Sequence, residues 1–216
     1  MEEIQDKKHI DKAISYTIPD SAVVFRIAWY TVASKPGAIL NEYSEAESQI
    51  FKGKAIFSVK YQDTPIYVRV WVEEAQTSVE LTAWGDDESL LESYLTETLS
   101  ALNESLNKYT SLEKENKLKL HKALVAKTCW DRLVFEILNK APLSAVYIQV
   151  AHGREMSIKA TEGEDMHPLT LTTSGWLSKI DSLPREEPLP SDIATELAKK
   201  SVEWKKETHE IIRRYL

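Results

Sequence analysis

Residues 53–84 read GKAIFSVKYQDTPIYVRVWVEEAQTSVELTAW, and apolar side chains recur at every second position through three successive runs. Ala55, Phe57, Val59 and Tyr61 share one face of the first run. Ile66, Val68, Val70 and Val72 share one face of the second, and Thr77, Val79, Leu81 and Ala83 one face of the third. A period of two sets alternate side chains on the same side of a sheet, so each run is expected to be a half-buried antiparallel strand. Asp63-Thr64-Pro65 and residues 73–76 supply the turns between them.

The flanks of this stretch are helical. Upstream, Asp20 can cap a helix through Val23, Val24, Ile27, Ala28 and Val32, and Pro36-Gly37 stops it. A short strand over 38–43 follows. Downstream, Asp86, Asp87 and Glu88 place negative charge at the positive end of a helix striped by Leu91, Leu95, Leu99, Leu102 and Leu106. Residues 19–110 therefore read as an α+β domain: a helix, a four-stranded antiparallel sheet and a helix. Residues 1–18 are polar and read as a tail or peripheral segment.

The second half, 111–216, reads as helix, strands, helix. A lysine-rich joint leads to a long helix marked by Leu120, Leu124, Trp130, Leu133 and Ile137, which Pro142 ends. Strands are expected at 145–151 and 156–161, with a turn at His152-Gly153-Arg154, and a third at 168–173. Pro184, Pro188 and Pro190 make an extended tether to a final helix carrying Leu197, Trp204 and Ile211. That tether leaves open whether the last helix docks on its own chain or on a neighbour, and whether the halves pack as one body. Both halves show a helix, a proline stop, strands and a helix, with Trp29 and Trp130 in similar places. Few residue identities connect them, which argues against a duplication.

Composition removes several classes of function. The chain has 216 residues, a net charge of −7 and a single cysteine, Cys129. One cysteine excludes an internal disulfide framework and multi-cysteine zinc sites. Residues 1–110 carry 10 Lys+Arg against 18 Asp+Glu, and residues 111–216 carry 17 against 16. An acidic chain is a poor fit to nucleic acid, whose binding is driven by phosphate neutralisation. The stretch 22–32 is interrupted by Arg26 and is far shorter than the roughly 20 residues of a membrane span. The start of the chain is charged and lacks a secretory pattern, so the expectation is a soluble, cytoplasmic protein without membrane association.

Catalytic signatures are missing. There is no glycine-rich phosphate loop, no glycine-x-serine-x-glycine elbow and no histidine pair bracketing a glutamate. Cys129 adjoins the apolar Trp130 and Leu133 and reads as a packed small hydrophobe, since His121 lies about two helical turns away. Glu162, Glu164, Asp165 and His167 are the densest group of metal-ligand types, but their spacing fits no metal loop and reads as a solvated tip. His9 and His209 sit in polar settings. The last helix is basic through Lys199, Lys200, Lys205 and Lys206, but interleaved glutamates make it a solvated face. No catalytic residue, metal site or cofactor is assigned.

The second strand has another side. Opposite its valines stand Tyr67, Arg69 and Trp71, with Thr82 and Trp84 beside them if registers match. Tyrosine and tryptophan around an arginine are typical of contact hot spots. The second half could cover this face, a second copy could pair through it, or a partner or ligand could occupy it. The expectation is a non-catalytic binding protein (an adaptor, an assembly factor or an immunity-type inhibitor) using Tyr67, Arg69, Trp71, Thr82 and Trp84 to hold another protein or a second copy. The rival is a carrier or sensor enclosing a small apolar ligand above Phe57, Val68, Val70 and Leu81.

Overall fold

In a computed structural model, which describes residues 6–46, 50–161 and 167–216, the alternating runs are strands. The chain divides into two units, Met1–Ser111 and Leu112–Leu216. The first runs β1 (Lys8–Ser15), α1 (Ser21–Ala33), β2 (Ile39–Ala46), β3 (Lys52–Tyr61), β4 (Thr64–Glu73), β5 (Ser78–Gly85) and α2 (Glu88–Ser111). Its strands form one antiparallel sheet in the order β1-β5-β4-β3-β2. The β3–β4 hairpin turns on Gln62 and Asp63, at φ 46° and 63°. Two successive left-handed residues match the right-handed twist of the flanking strands. A single 3₁₀ turn, Glu74–Gln76, and a left-handed Thr77 join β4 to β5.

The sheet has five strands where four were expected, because β1 forms within the segment read as a tail. Its sequence, KHIDKAIS, pairs antiparallel with β5 from Lys8↔Gly85 to Ser15↔Ser78. Lys12 shows why the strand hides in the sequence. It occupies an inward position, opposite Leu81, yet it is polar because its Nζ donates to Glu92 at 2.5 Å and Thr96 at 3.0 Å on α2. A lysine on an edge strand is also a common guard against unwanted strand pairing.

Helices α1 and α2 cover the valine-rich face: α1 packs on β3, β4 and β5, and α2 on β5 and β1. Asp20 caps α1 by accepting the Val23 N–H at 3.1 Å. Every residue of α1 except Ala22 and Ala33 is buried, so the helix is lined with core side chains around its circumference. Trp29 stands edge-on to Phe57 at 5.3 Å, and Phe57, Val68, Val70 and Leu81 are closed off from solvent. Gly53 lets β3 pass directly beneath Phe25, since a Cβ there would meet the ring at 2.7 Å. Asp87 opens α2 by accepting the Ser89 and Leu90 N–H groups.

The second unit is helical: α3 (Lys114–Leu138), α4 (Leu143–Ala160), α5 (Pro168–Asp181) and α6 (Ser191–Ile212). The strands expected at 145–151, 156–161 and 168–173 are helices α4 and α5, so the helix–strands–helix order does not hold and the parallel between the halves ends with it. His152-Gly153-Arg154 is not a turn but the middle of α4. The physical reason is burial. Leu143, Val146, Val150 and Gly153 face the core at spacings of three and four, while Ile148, which completed the strand-like alternation, is 59% exposed. In α5 the buried set is Leu169, Thr170, Thr173, Trp176 and Ile180, again helical in spacing.

Two indoles organise this core. Trp130 and Trp204 lie 5.0 Å apart, and each donates its Nε1–H to a threonine hydroxyl, Thr208 and Thr172 respectively, at 3.0 Å. Gly153 admits α4 close to α3, since a Cβ there would stand 2.4 Å from the Trp130 ring. The proline-rich segment is tied down by Leu143 N–H to Glu187 O at 2.8 Å and Ser144 N–H to Arg185 O at 2.9 Å. The last helix accordingly packs on α3 of its own chain.

Candidate functional site

The face of the sheet turned away from α1 and α2 is organised in rows by strand register. His9, Trp84, Tyr67, Ser58 and Ile39 form one row. The next is Asp11, Thr82, Arg69, Ile56 and Glu42, followed by Ala13, Glu80, Trp71, Lys54 and Ser44. Tyr67, Arg69, Trp71, Thr82 and Trp84 therefore do stand on one surface, with Arg69 at its centre.

Arg69 ties the rows together. Its Nη2 donates to Glu80 and, at 2.8 Å, to the Thr82 hydroxyl. Its guanidinium carbon lies 5.7 Å from the centroid of the Trp84 ring. The Nε of Arg69 is shielded from solvent and has no hydrogen-bond partner among the described residues. Thr82 is only 2% exposed and Ile56 6%, so both lie beneath this layer as its floor. Tyr67, Trp71 and Trp84 are half-buried.

Around the centre, long charged side chains lie along the rings and pair across strands. Lys7 Nζ sits 5.6 Å above Tyr67, Lys54 pairs with Glu42 at 2.5 Å, and Lys52 with Glu73 at 2.6 Å. Such cross-strand pairs contribute about 0.2–1 kcal/mol each. The result is a mixed surface of aromatic planes and paired charges, with Glu80 and Lys7 as members that the sequence reading missed. Glu80 was findable, because it lies two residues from Thr82 and so shares its side of β5.

Among the described residues, the remaining sequence candidates do not assemble into a second centre. Cys129 is buried within α3. Glu162, Glu164 and Asp165 lie outside the described residues, while His167 caps α5 by accepting the Leu169 N–H. Among the described residues no group of three or more His, Cys, Asp or Glu side chains could hold a metal ion. His9 is exposed, and His209 is half-buried, with burial lowering its imidazole pKa. On the last helix, Lys200 pairs with Glu203 and Lys205 with Asp131. Asp131 belongs to a buried cluster: Lys127 donates to both of its oxygens, at 3.0 and 2.8 Å, and Lys205 reaches it from α6 at 2.9 Å.

Among the described residues no helix is long and apolar enough to cross a membrane. No family model, curated protein or solved structure matches the chain.

Proposed function

We propose that this chain is a non-catalytic binding protein that holds another protein through the outer face of its five-stranded sheet. The observation that carries this reading is the asymmetry of the sheet. Two helices fill one side, while the other gathers Tyr67, Trp71 and Trp84 around Arg69 with, among the described residues, no helix of the first unit upon it. Large aromatic surfaces with few rotatable bonds lose little entropy on docking, and arginine adds directional hydrogen bonds. The pairing of charges across the strands fits a partner of mixed polarity better than one of a single charge sign.

The test is native mass measurement of the chain isolated from its own cells, wild type beside Trp71→Ala and Arg69→Ala. The expected result is a stoichiometric protein complex that both variants lose while melting within a few degrees of wild type. A wild-type chain recovered as a bare monomer overturns the proposal, and so does retention of the complex by both variants. A dimer of this chain lost in the variants would identify a second copy as the partner.

A further inference from the structure

One ring nitrogen in the second unit faces two groups that it cannot serve at once. His167 stands immediately before Pro168, at the cap of α5, and its Nδ1 accepts the Leu169 N–H at 3.2 Å. The same Nδ1 lies 3.9 Å from Oε2 of Glu207 on α6. That oxygen is shielded from solvent and has no hydrogen-bond partner among the described residues. Accepting the amide requires a lone pair on Nδ1, whereas donating to the carboxylate requires a proton on that same atom. The nitrogen cannot do both.

We propose that His167 is a proton-operated switch between α5 and α6: neutral, it caps α5; protonated, it releases the Leu169 amide and donates to Glu207. Arg214 beyond the end of α6 and Lys119 on α3 line the same cavity of about 240 Å³ as His167, and Glu115 holds Lys119 at 3.0 Å. Tyr215 lines that cavity as a neutral group, and the neighbouring Ala160 and Thr161 bring no charge. Glu207 is the carboxylate that faces Nδ1. Glu162, Glu164 and Asp165 precede His167 in sequence and lie outside the described residues, so the test turns on Glu207 itself.

The switch changes the connection between two helices without breaking either core. Trp204 on α6 still donates to Thr172 on α5, one turn further along. Acidification through the imidazole titration therefore frees only the first turn of α5.

The experiment is nuclear magnetic resonance of the full chain with labelled histidine, from pH 8 to pH 5, reading the ring tautomer and the hydrogen exchange of Leu169. At pH 8 the proton should reside on Nε2. As the ring becomes charged, protection of the Leu169 amide should fall about fivefold, the loss of a typical cap. Glu207→Gln should lower the imidazole midpoint. His167→Asn supplies a cap acceptor that does not titrate, so Leu169 should stay protected throughout. Three results would each overturn the proposal: a proton on Nδ1 at pH 8, an unchanged midpoint in Glu207→Gln, or a pH response of Leu169 that persists in His167→Asn.

Discussion

Lys127 and Asp131 stand one turn apart on α3 with side chains 6% and 7% exposed, a placement that only mutual satisfaction makes tolerable. Burial alone would raise the Asp131 pKa, but Lys127 and Lys205 outweigh it and hold the carboxyl below its ordinary value. Burial also pulls the Lys127 ammonium down against the attraction of Asp131. Two cations face one carboxylate, so the charge balance of the cluster favours ionised Asp131. Asp131→Asn strands both lysines and should cost about 3 kcal/mol, read as a lower urea midpoint at unchanged slope. The acid limb follows from the same shift. A carboxyl whose folded pKa is depressed binds fewer protons folded than unfolded, so its contribution is complete above the ordinary carboxylate range. That contribution is lost as pH falls through the folded value. Melting temperatures should therefore drop below about pH 4, and Asp131→Asn should flatten that drop.

The contact of α4 with α3 turns on one missing methyl group. Alanine in place of Gly153 would favour the helix by about 1 kcal/mol. Its Cβ would also stand 2.4 Å from the fully buried Trp130 ring, and overpacking of this kind costs about 1–3 kcal/mol. Gly153→Ala should thus destabilise the chain despite its better helix propensity, measured by denaturant melts followed through tryptophan fluorescence. The same residue misled the sequence reading, where glycine beside His152 suggested a turn. Val146, Ile148 and Val150 do alternate, and nothing local reveals that Ile148 is left in solvent. The spacing of Leu143, Val146, Val150 and Gly153 carried the helical signal, but it becomes visible only when glycine is counted as a core position. Strands β3, β4 and β5 were legible because valine-rich alternation is unambiguous, and their register was fixed by tight turns. The five candidate site residues shared a face for the same reason. β1 was not legible, because an edge strand with Lys12 bonded to α2 has too little apolar periodicity to register.

At the scale of the chain, 1–111 and 112–216 each bury their own indoles: Trp29 in the first, Trp130, Trp176 and Trp204 in the second. Segments with separate cores are able to fold alone. Expressed by itself, 112–216 should give a helical circular-dichroism spectrum and a cooperative melt, and 1–111 a mixed spectrum with its own transition. A segment without a melt would show that its core depends on the other. β1 imposes a schedule on the first of them. Lys8 finds its partner at Gly85, 77 positions later, so as the chain emerges from a ribosome its opening strand must wait, unpaired, until the meander that borders it has been made. The last edge of that sheet to close is the first to be synthesised.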